Sequence, residues 1–186
     1  MQRMLKYLPV AVLSLAGTAR AQQQSPLWEF GVDGALAHRT THVDTPTGTR
    51  DVSATNVQLP IAMVRAGVYL NPQVELEPAL GITHSSSGGS DFTQLDLDVG
   101  LPIYFTGTRA TDQFYVRPVI GFDHFSGTGA RGFTQTSLGA GLGIKLPIDS
   151  RIASRIEAQY RHGLHSDPAA AYDQFALLLG LSVYSR

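Results

Sequence analysis

The sequence has no cysteine in its 186 residues. Disulfide scaffolds, cysteine-ligated zinc sites and thiolate nucleophiles are therefore excluded. Beyond its N-terminal segment it has no apolar stretch of about 20 residues, which excludes a helical membrane protein. Lysine is scarce, because Lys6 and Lys145 are the only two. With 14 basic and 15 acidic residues, the chain has no excess of positive charge, so we expect no nucleic acid as a partner.

The N-terminal segment has the three parts of a secretory signal. Residues 1–7 carry basic side chains and no acid, and residues 8–17 (LPVAVLSLAG) are apolar. This apolar core is too short to span a bilayer, and the Ala-Arg-Ala at 19–21 has the small-x-small pattern of a cleavage site. The sequence therefore predicts a signal peptide over 1–21 and a single mature domain over 22–186.

After residue 22 the sequence alternates between apolar and other side chains with a period of two, as a β-strand with one apolar face does. The last segment is the clearest, because Leu177, Leu179 and Leu181 share one face. Helical periodicity is almost absent. The alternation predicts eight strands, over residues 27–37, 57–70, 73–84, 92–105, 114–125, 133–146, 151–162 and 173–184.

The connections between these strands alternate in length. Long connections rich in Gly, Ser and Thr follow the first, third, fifth and seventh strands, and tight turns follow the second and the sixth. This contrast is typical of an up-and-down barrel in an outer membrane, with short periplasmic turns and longer outer loops. The sequence therefore predicts an all-β, eight-stranded antiparallel transmembrane barrel with periplasmic termini. A soluble lipocalin-like barrel is the alternative.

The strand face opposite the apolar one carries small residues and charges of both signs. An eight-stranded barrel has an interior just wide enough for its own side chains, and arginine suits confined, bidentate pairing with carboxylates. Because single buried charges are costly, we expect these groups to pair. The predicted lumen network consists of Glu29, Asp33, Arg65, Glu75, Glu77, Asp96, Asp98, Arg117, Asp123, Lys145, Arg155, Glu157 and Arg161.

Aromatic residues fall near the predicted strand ends in two groups, which we interpret as the interfacial girdles of a membrane barrel. The group at the predicted periplasmic ends is Trp28, Phe30, Tyr69, Tyr104, Phe105, Phe114 and Tyr115. The group at the predicted outer ends is Phe92, Phe122, Phe125, Phe133, Tyr160, Tyr172 and Phe175.

Four prolines fall inside predicted strands, although proline cannot donate to a ladder and a closed barrel has no edge to accommodate it. We therefore expect bulges or strand ends at Pro60, Pro78, Pro102 and Pro118. The apolar parity of the second strand is also irregular, which predicts a bulge or register change near Val64.

Several segments carry a resemblance to a known family. They are residues 65–72 (RAGVYLNP), 76–81 (LEPALG), 115–121 (YVRPVIG) and 157–162 (EAQYRH). With these patterns the mature region resembles the small outer-membrane β-barrel proteins of the opacity-protein and surface-antigen type. The resemblance implies structural, adhesive or membrane-integrity roles and assembly by the barrel insertion machinery, which reads a last strand ending in an aromatic residue. Here Ser185 and Arg186 follow Tyr184, a departure from that pattern.

The six histidines all fall in predicted outer loops or at the strand ends beside them, near several aspartates. Imidazole and carboxylate groups are metal ligands, and imidazole titrates near pH 6.5. None has the paired spacing of a metalloprotease helix. A weak rim metal or pH site is therefore one interpretation, and solvated loop residues are the other. The histidines are His38, His42, His84, His124, His162 and His165.

A hydrolase of the lipid A deacylase type, an eight-stranded barrel with a Ser-His-Glu site on its lipid-facing wall, is an alternative function. A nucleophilic serine needs a histidine within reach and a carboxylate to orient it. In the corresponding stretch, His162 to Ser166, no serine has the required spacing, and Asp173 stands where that family has Glu. His84 and Ser86 have the spacing but lie in another hairpin. We therefore predict that the protein is not an enzyme.

The sequence predicts a non-catalytic outer-membrane protein with a structural, membrane-integrity or surface-interaction role and no cofactor. We expect outer-membrane lipid and lipopolysaccharide as partners. Loop 37–56 is the longest connection, and we expect it to contact a surface ligand because binding concentrates in loops on rigid scaffolds. A narrow ion-conducting pore is a further alternative.

Overall fold

The computed structural model describes residues 27–87, 90–105, 111–127, 130–166 and 169–185. The signal peptide predicted over 1–21 lies outside these residues. Within the described ranges there is no helical segment with the length and hydropathy of a membrane-spanning helix. The strands are β1 (Trp28–Thr45), β2 (Gly48–Asn71), β3 (Val74–Ser87), β4 (Ser90–Gly100), β5 (Ile103–Tyr104), β6 (Gln113–Gly127), β7 (Ala130–Asp149), β8 (Ile152–Gly163) and β9 (Tyr172–Tyr184).

The strands form one antiparallel sheet that closes on itself. Apart from β4 and β5, each strand pairs with the next along the chain, β4 pairs with β6, and β9 pairs with β1 over Glu29↔Tyr184 to Thr41↔Tyr172. The two-residue β5 shares one position of the ring with β4, because both lie between β3 and β6. The ring therefore has eight positions, and the predicted eight-stranded up-and-down barrel is confirmed.

Apolar side chains cover the outside of the barrel and charged ones fill the inside. Leu177 and Leu179 are 41% and 49% exposed, whereas the side chain of Glu157 beside them on β8 is fully buried. In a soluble barrel the apolar side chains would be buried inside and the charged ones exposed outside. This inside-out arrangement is the one that a transmembrane barrel requires.

The aromatic residues divide between the two faces. Seven are exposed on outward-facing positions near the strand ends, namely Trp28, Phe30, Phe105, Phe114, Phe122, Tyr160 and Phe175. The other seven lie on inward-facing positions, which corrects the prediction that they belong to the girdles. These are Tyr69, Phe92, Tyr104, Tyr115, Phe125, Phe133 and Tyr172. These residues alternate in phase with the buried charges along each strand, so the alternation in the sequence already indicated that they face inward.

Residues 37–56, predicted as a loop, are instead the outer part of a β-hairpin. The register of β1 and β2 runs unbroken from Ala35↔Gln58 to Thr45↔Gly48, and Gly48 closes the turn with a φ of +130°. Strands β3 and β7 also extend further outward than predicted. The prediction was wrong because both faces of these extensions are polar, so no hydrophobic alternation marks them.

The register of β2 changes close to the predicted position. Relative to β1, β2 contains extra residues between Gln58 and Met63. This stretch includes Pro60, which has no N–H to donate. The bulge expected at Pro60 and the register change expected near Val64 are therefore the same feature.

The other three prolines lie at interruptions of the ladder. Pro102 separates β4 from β5, and Pro118 on β6 stands opposite that break. Pro78 stays within β3, where the β2–β3 ladder keeps its register but has no pair between Arg65↔Ala79 and Val68↔Leu76. Pro102 therefore marks a strand end as predicted, whereas Pro78 and Pro118 stay inside continuous strands and interrupt the pairing on one side only.

One wall of the barrel is paired along only part of its height. Strands β2 and β3 pair from Asn71↔Val74 up to Val64↔Leu80. Beyond this point no ladder pair joins them in the part of the chain that the structure describes, although β3 remains paired with β4 as far as Ser87↔Ser90. The β2–β3 ladder therefore ends at Val64 and Leu80, and above it the two strands are joined by a side-chain hydrogen bond from Gln58 Nε2 to Thr83 Oγ1 at 2.7 Å.

Candidate functional site

The lower half of the barrel, next to the chain termini, is filled by charged side chains. Of the thirteen residues in the predicted lumen network, twelve are buried and Asp96 is half-buried. The charges come from every position of the ring except β9, because alternation turns every second residue of each strand inward. The twelve buried members are Glu29, Asp33, Arg65, Glu75, Glu77, Asp98, Arg117, Asp123, Lys145, Arg155, Glu157 and Arg161.

Glu77 lies at the centre of these charges. Its Oε2 is 2.7 Å from Arg155 Nη1 and 3.2 Å from Arg65 Nη1, and its Oε1 is 2.9 Å from Arg117 Nε. The three arginines come from β8, β2 and β6. One carboxylate thus joins four strands across the lumen, and we call this group the Glu77 network.

Glu157 extends the network. It accepts hydrogen bonds from Arg155 Nη2 and from the Tyr115 hydroxyl, the latter at 2.8 Å, and its Oε1 is 3.4 Å from Arg117 Nη1. Removing charges from water costs several kcal/mol for each ion, which only close pairing with further hydrogen bonds recovers. The tyrosine hydroxyl supplies such a bond, which explains why aromatic residues lie inside the lumen.

Lys145 forms the lower end of the filled region. Its Nζ donates to Glu29 Oε2 at 2.6 Å and to Glu75 Oε2 at 2.9 Å. Tyr104 donates to the same Glu75 oxygen at 2.5 Å, and its ring centroid lies 5.1 Å from Nζ. The ammonium group is therefore held by two carboxylates and an aromatic ring, an arrangement that offsets the loss of its hydration.

The three glutamates Glu29, Glu75 and Glu77 bring oxygen atoms within 4.8 Å of one another, which is close enough for a metal ion. Lys145 already bridges two of them, and Arg65 Nη1 lies 2.5 Å from Glu29 Oε1. Because the protein's own cations neutralise this group, we assign no metal to it.

The upper half of the interior is different, because it contains a cavity of about 250 Å³. Five amide side chains line it, namely Asn56, Gln58, Gln94, Gln159 and Gln174. Its floor is the Arg161–Asp98 pair, in which Arg161 Nη1 donates to Asp98 Oδ1 at 2.8 Å. We call this space the outer cavity.

Asp96 and Asp123 also face the outer cavity, as direct cross-strand partners on β4 and β6. Asp96 accepts a hydrogen bond from Gln94 Nε2 at 2.6 Å, and Asp123 accepts one from the Tyr172 hydroxyl at 2.7 Å. Both donors are neutral, so these two carboxylates differ from those of the Glu77 network.

A second polar cluster lies on the outer surface, two residues beyond Phe175 and so outside the apolar belt. Asp173 accepts hydrogen bonds from the Tyr160 hydroxyl at 2.6 Å, from His162 Nδ1 at 2.9 Å and from His42 Nε2 at 3.0 Å. His42 Nδ1 lies 2.8 Å from Asp51 Oδ1. This rim cluster links β8, β9, β1 and β2, including the pair that closes the barrel.

The geometry of the rim cluster favours a charged His42. A neutral imidazole can donate from only one nitrogen, yet a carboxylate faces each nitrogen of this ring. Hydrogen bonds to Asp51 and Asp173 accordingly raise the pKa of His42 above its usual value. Hydrogen bonds from Tyr160, His162 and His42 lower the pKa of Asp173.

The structure does not bring the other histidines into this cluster. His38 lies 2.9 Å from Thr55 Oγ1, His84 lies 2.9 Å from Thr93 Oγ1, and His124 lies 3.0 Å from Thr134 Oγ1. His165 is exposed beyond the end of β8. Of the six histidines predicted to form a rim site, the structure brings only His42 and His162 together. Metal binding at this site stays a prediction.

The rim cluster contains the histidine and the carboxylate that a hydrolase would need. His162 and Asp173 are cross-strand partners on the outer wall, as a base and its orienting acid would be. The position two residues beyond His162 is Leu164, however, which is exposed and has no nucleophilic group. His84, the other candidate base, contacts Thr93.

Comparisons with known proteins identify the fold. No family model matches the sequence, and no curated protein matches it. The structure is similar to that of Neisserial surface protein A (NspA), with a TM-score of 0.58 and 12% identity over 86% of this chain and 99% of that one. It is also similar to outer membrane protein AlkL in DMPC lipid bilayers, with a TM-score of 0.55 and 12% identity over 89% and 92% of the two chains.

The N-terminal β-barrel domain of Pseudomonas aeruginosa OprF gives a TM-score of 0.53 at 16% identity, covering 87% of this chain and 100% of that domain. Their names describe a surface protein, an outer membrane protein and a β-barrel domain, respectively. The resemblance to small outer-membrane barrels is therefore confirmed at the level of the fold.

Proposed function

We propose that this protein resides in the bacterial outer membrane with periplasmic termini and acts by contact at the cell surface, without catalysis or conduction. The apolar outer wall between its aromatic girdles supports the location, because such a surface is stable only in hydrocarbon. The proposed contact surface is the outer part of the β1–β2 hairpin, residues 42–51, which we call the hairpin arm.

The single observation that carries the proposal is the continuous pairing of this hairpin. A strand of about 9–11 residues crosses a bilayer, yet β1 and β2 have 18 and 24 residues. The arm therefore extends beyond the rim as a paired structure and presents a fixed surface. Within the arm, every residue from 46 to 51 is exposed. The edge of β2 that faces away from β1 also offers its backbone groups to a partner.

The interior supports a role without conduction. Four side chains in the middle of the lumen are at most 1% exposed, namely Glu77, Arg155, Tyr115 and Lys145. Their ion pairs join opposite walls, so an ion would have to break several of them to pass. We expect the conductance of planar bilayers with the wild-type protein to equal that of protein-free bilayers, and resolved single-channel steps would contradict a closed lumen.

The orientation can be tested with single cysteines, because the natural sequence has none. Ser53→Cys lies near the base of the arm, and Ser150→Cys lies in the turn at the opposite end. In intact cells a membrane-impermeant maleimide should label the first and spare the second, whereas both should react after lysis. Labelling of Ser150→Cys alone, or recovery of the protein in the soluble periplasm, would contradict the proposal.

The contact role can be tested by shortening the arm. Replacing residues 43–50 by Asn-Gly keeps His42 and Asp51 opposite each other across a tight turn. Cells that carry this variant should lose attachment to lipopolysaccharide-coated beads, while the variant should insert normally, as judged by heat-modifiable gel mobility. Substitution of the exposed Ile148 at the other end by Thr serves as the control. Undiminished attachment of the shortened variant would contradict the role of the arm.

A further inference from the structure

We infer that the outer cavity binds one uncharged sugar ring, a pyranose, which enters from the outer end of the barrel. The inference concerns the interior and not the hairpin arm, so it goes beyond the contact role proposed above. The filled lower half holds such a ligand at the cavity and does not pass it through the barrel. A free sugar and the terminal ring of a glycan share this chemistry, and a binding experiment distinguishes them.

The cavity is open toward the outer end of the barrel on the side of β2. Asn56 and Ala54 line the cavity from inward-facing positions of this strand, yet both are exposed. In the registers of β1 and β9, Ala54 is level with Gln174, one residue beyond Phe175 of the outer girdle. The entrance therefore lies at the height of the rim and not within the apolar belt.

The other side of the entrance is aromatic. Phe92 and Phe125 lie one inward-facing position further out than Gln94 and Asp123, and their ring centroids are 6.0 Å apart. Phe133 stacks on Phe125 at 4.9 Å. The face of an aromatic ring is electronegative and attracts weakly positive C–H groups. Because Phe92 is 42% exposed, it presents such a surface to the C–H groups of a sugar at the mouth.

The lining of the cavity has an apolar face and a polar face. The apolar face consists of two neighbouring cross-strand pairs of β1 and β9, Ala35↔Leu178 and Ala37↔Ala176. Across the ring of strands, β4 and β6 contribute the polar side chains of Gln94, Asp96 and Asp123. A pyranose matches this lining, because it carries C–H groups on its ring faces and hydroxyl groups around its edge.

The charges of the lining are balanced. Asp96 and Asp123 are hydrogen-bonded to each other, and because an ionised carboxylate has no proton to donate, one of the two is protonated. The pair therefore carries a single negative charge. Arg161 is engaged with Asp98, so among the described lining residues Arg39 supplies the one remaining positive charge. An uncharged ligand fits this balance, since it brings no unpaired charge into the cavity.

The lining also holds unused donors and acceptors, which hydroxyl groups satisfy because they both donate and accept. Gln94 donates through Nε2 to Asp96, which leaves its Oε1 as an acceptor. Gln174 accepts from Arg39 Nε through Oε1, which leaves its Nε2 as a donor. Within the described ranges the side chain of Asn56 has no hydrogen-bond partner, so it offers both functions at the entrance.

The size of the cavity limits the ligand to one ring. Its volume of about 250 Å³ is below the roughly 300–1,000 Å³ of typical small-molecule pockets. It has room for a single pyranose but not for a disaccharide. The second ring of a longer chain would therefore lie at the mouth, beside Phe92 and Phe125.

Binding is measured by saturation-transfer difference NMR on the full barrel in lipid nanodiscs. The uncharged probes are the methyl pyranosides of glucose, galactose and mannose, and the charged probes are glucuronate and protonated glucosamine. At least one uncharged ring should bind saturably and about tenfold more tightly than either charged ring. Equal affinity for charged and uncharged rings, or no saturable binding of any methyl pyranoside, would overturn the inference.

Two pairs of variants locate the bound ring. Ala176→Leu fills the apolar face of the cavity and should abolish binding, whereas Ala158→Leu, on an exposed outward position of β8, should leave it intact. Asn56→Ala at the entrance should weaken binding about fivefold through one lost hydrogen bond, and Asn71→Ala at the opposite end should not. Heat-modifiable gel mobility checks that each variant is folded. Wild-type affinity of folded Ala176→Leu or of Asn56→Ala would overturn the inference.

A disaccharide distinguishes the two sources of the ring. If a disaccharide that ends in the bound ring matches the affinity of the methyl pyranoside, the site takes the ends of glycan chains. A loss of more than about tenfold in affinity identifies a free sugar as the ligand. The variant with the shortened arm keeps the whole cavity and should bind the pyranoside like the wild type, so failure of the contact role and failure of this inference are distinguishable.

Discussion

The two halves of the barrel interior are built on the same alternation but hold different chemistry. In the lower half Glu77 contacts Arg65, Arg117 and Arg155, and these side chains are completely enclosed. In the upper half five amide side chains, with a few charged groups such as Asp96 and Arg39, line an open cavity of about 250 Å³. Charged groups that pair across a narrow lumen fill it and join its walls. Neutral amides leave space for water or a ligand, and the wall beside them is only partly paired.

The largest expected difference between the halves concerns Glu77. Glu77→Gln should lower the free energy of unfolding by about 3–5 kcal/mol, because it removes the one carboxylate that three buried guanidinium groups share and leaves five cations to the remaining buried carboxylates. Gln94→Ala in the upper half removes one hydrogen bond and should cost about 1 kcal/mol. Urea unfolding in vesicles measures both. Equal losses for the two variants would contradict the distinction between a paired and an open half.

A double-mutant cycle sharpens the account of the lower half. Lys145→Met leaves Glu29 and Glu75 without their shared cation and should cost about 3 kcal/mol. The additional change Glu75→Gln removes one of the stranded carboxylates, so the double variant should be more stable than the two single losses predict, by about 0.5–3 kcal/mol. Additive losses would show that Lys145 and Glu75 are not coupled.

Enlarging a side chain should destabilise the filled lower half more than the upper half, which contains the cavity. The Cβ atom of Gly143→Ala would lie 2.2 Å from the Tyr115 hydroxyl oxygen, so this variant should lose about 1–3 kcal/mol through overpacking. Ala37→Val adds volume beside the outer cavity and should cost less than about 1 kcal/mol. Thermal unfolding in nanodiscs measures both. A larger loss for Ala37→Val would mean that the cavity is not open space.

The smallest effect is expected at the rim, where pH acts. Because the folded pKa of His42 is raised, its stabilising contribution is complete below the unfolded value of about 6.5 and is lost as pH rises through the folded value. The lowered pKa of Asp173 acts in the opposite direction, and its contribution is lost only in acid, below about pH 3.9. Both contributions are therefore present together at about pH 5–6.

Hydrogen–deuterium exchange of the hairpin arm checks this prediction. After correction for the intrinsic exchange rate, amides of residues 42–51 should exchange faster at about pH 8.5 than at about pH 5.5. His42→Asn should remove the difference, whereas His124→Asn, on the other side of the barrel, should leave it intact. Protection that is independent of pH in the wild-type protein would contradict a charged His42 in the rim cluster.

Much of the fold was predictable because one face of each strand meets an apolar environment. The outward leucines of β9 and the inward charges follow from alternation alone, as does the inward parity of Tyr69 and Tyr115. The hairpin arm was missed because water surrounds both of its faces, which removes the pattern. Pro60 and the parity change near it indicated a bulge.

The partners within the lumen were not predictable in the same way. Alternation shows that Glu77 faces inward, but its three arginines come from strands distant in sequence, and the tilt and stagger of the closed barrel decide which of them meet. The point at which β2 and β3 stop pairing, at Val64 and Leu80, depends on the same geometry. The convergence of His42 and His162 on Asp173 likewise requires the closure of β9 onto β1.

The position of Lys145 has a practical consequence for detecting the protein. It is the one lysine after residue 6, and its ammonium group lies between two glutamates with 1% of its side chain exposed. N-hydroxysuccinimide esters and aldehyde fixatives react with accessible primary amines, and the folded barrel offers them none from its side chains. Amine biotinylation of the folded protein will consequently not label Lys145, whereas carboxyl-directed reagents will reach exposed acids of the hairpin arm such as Asp51.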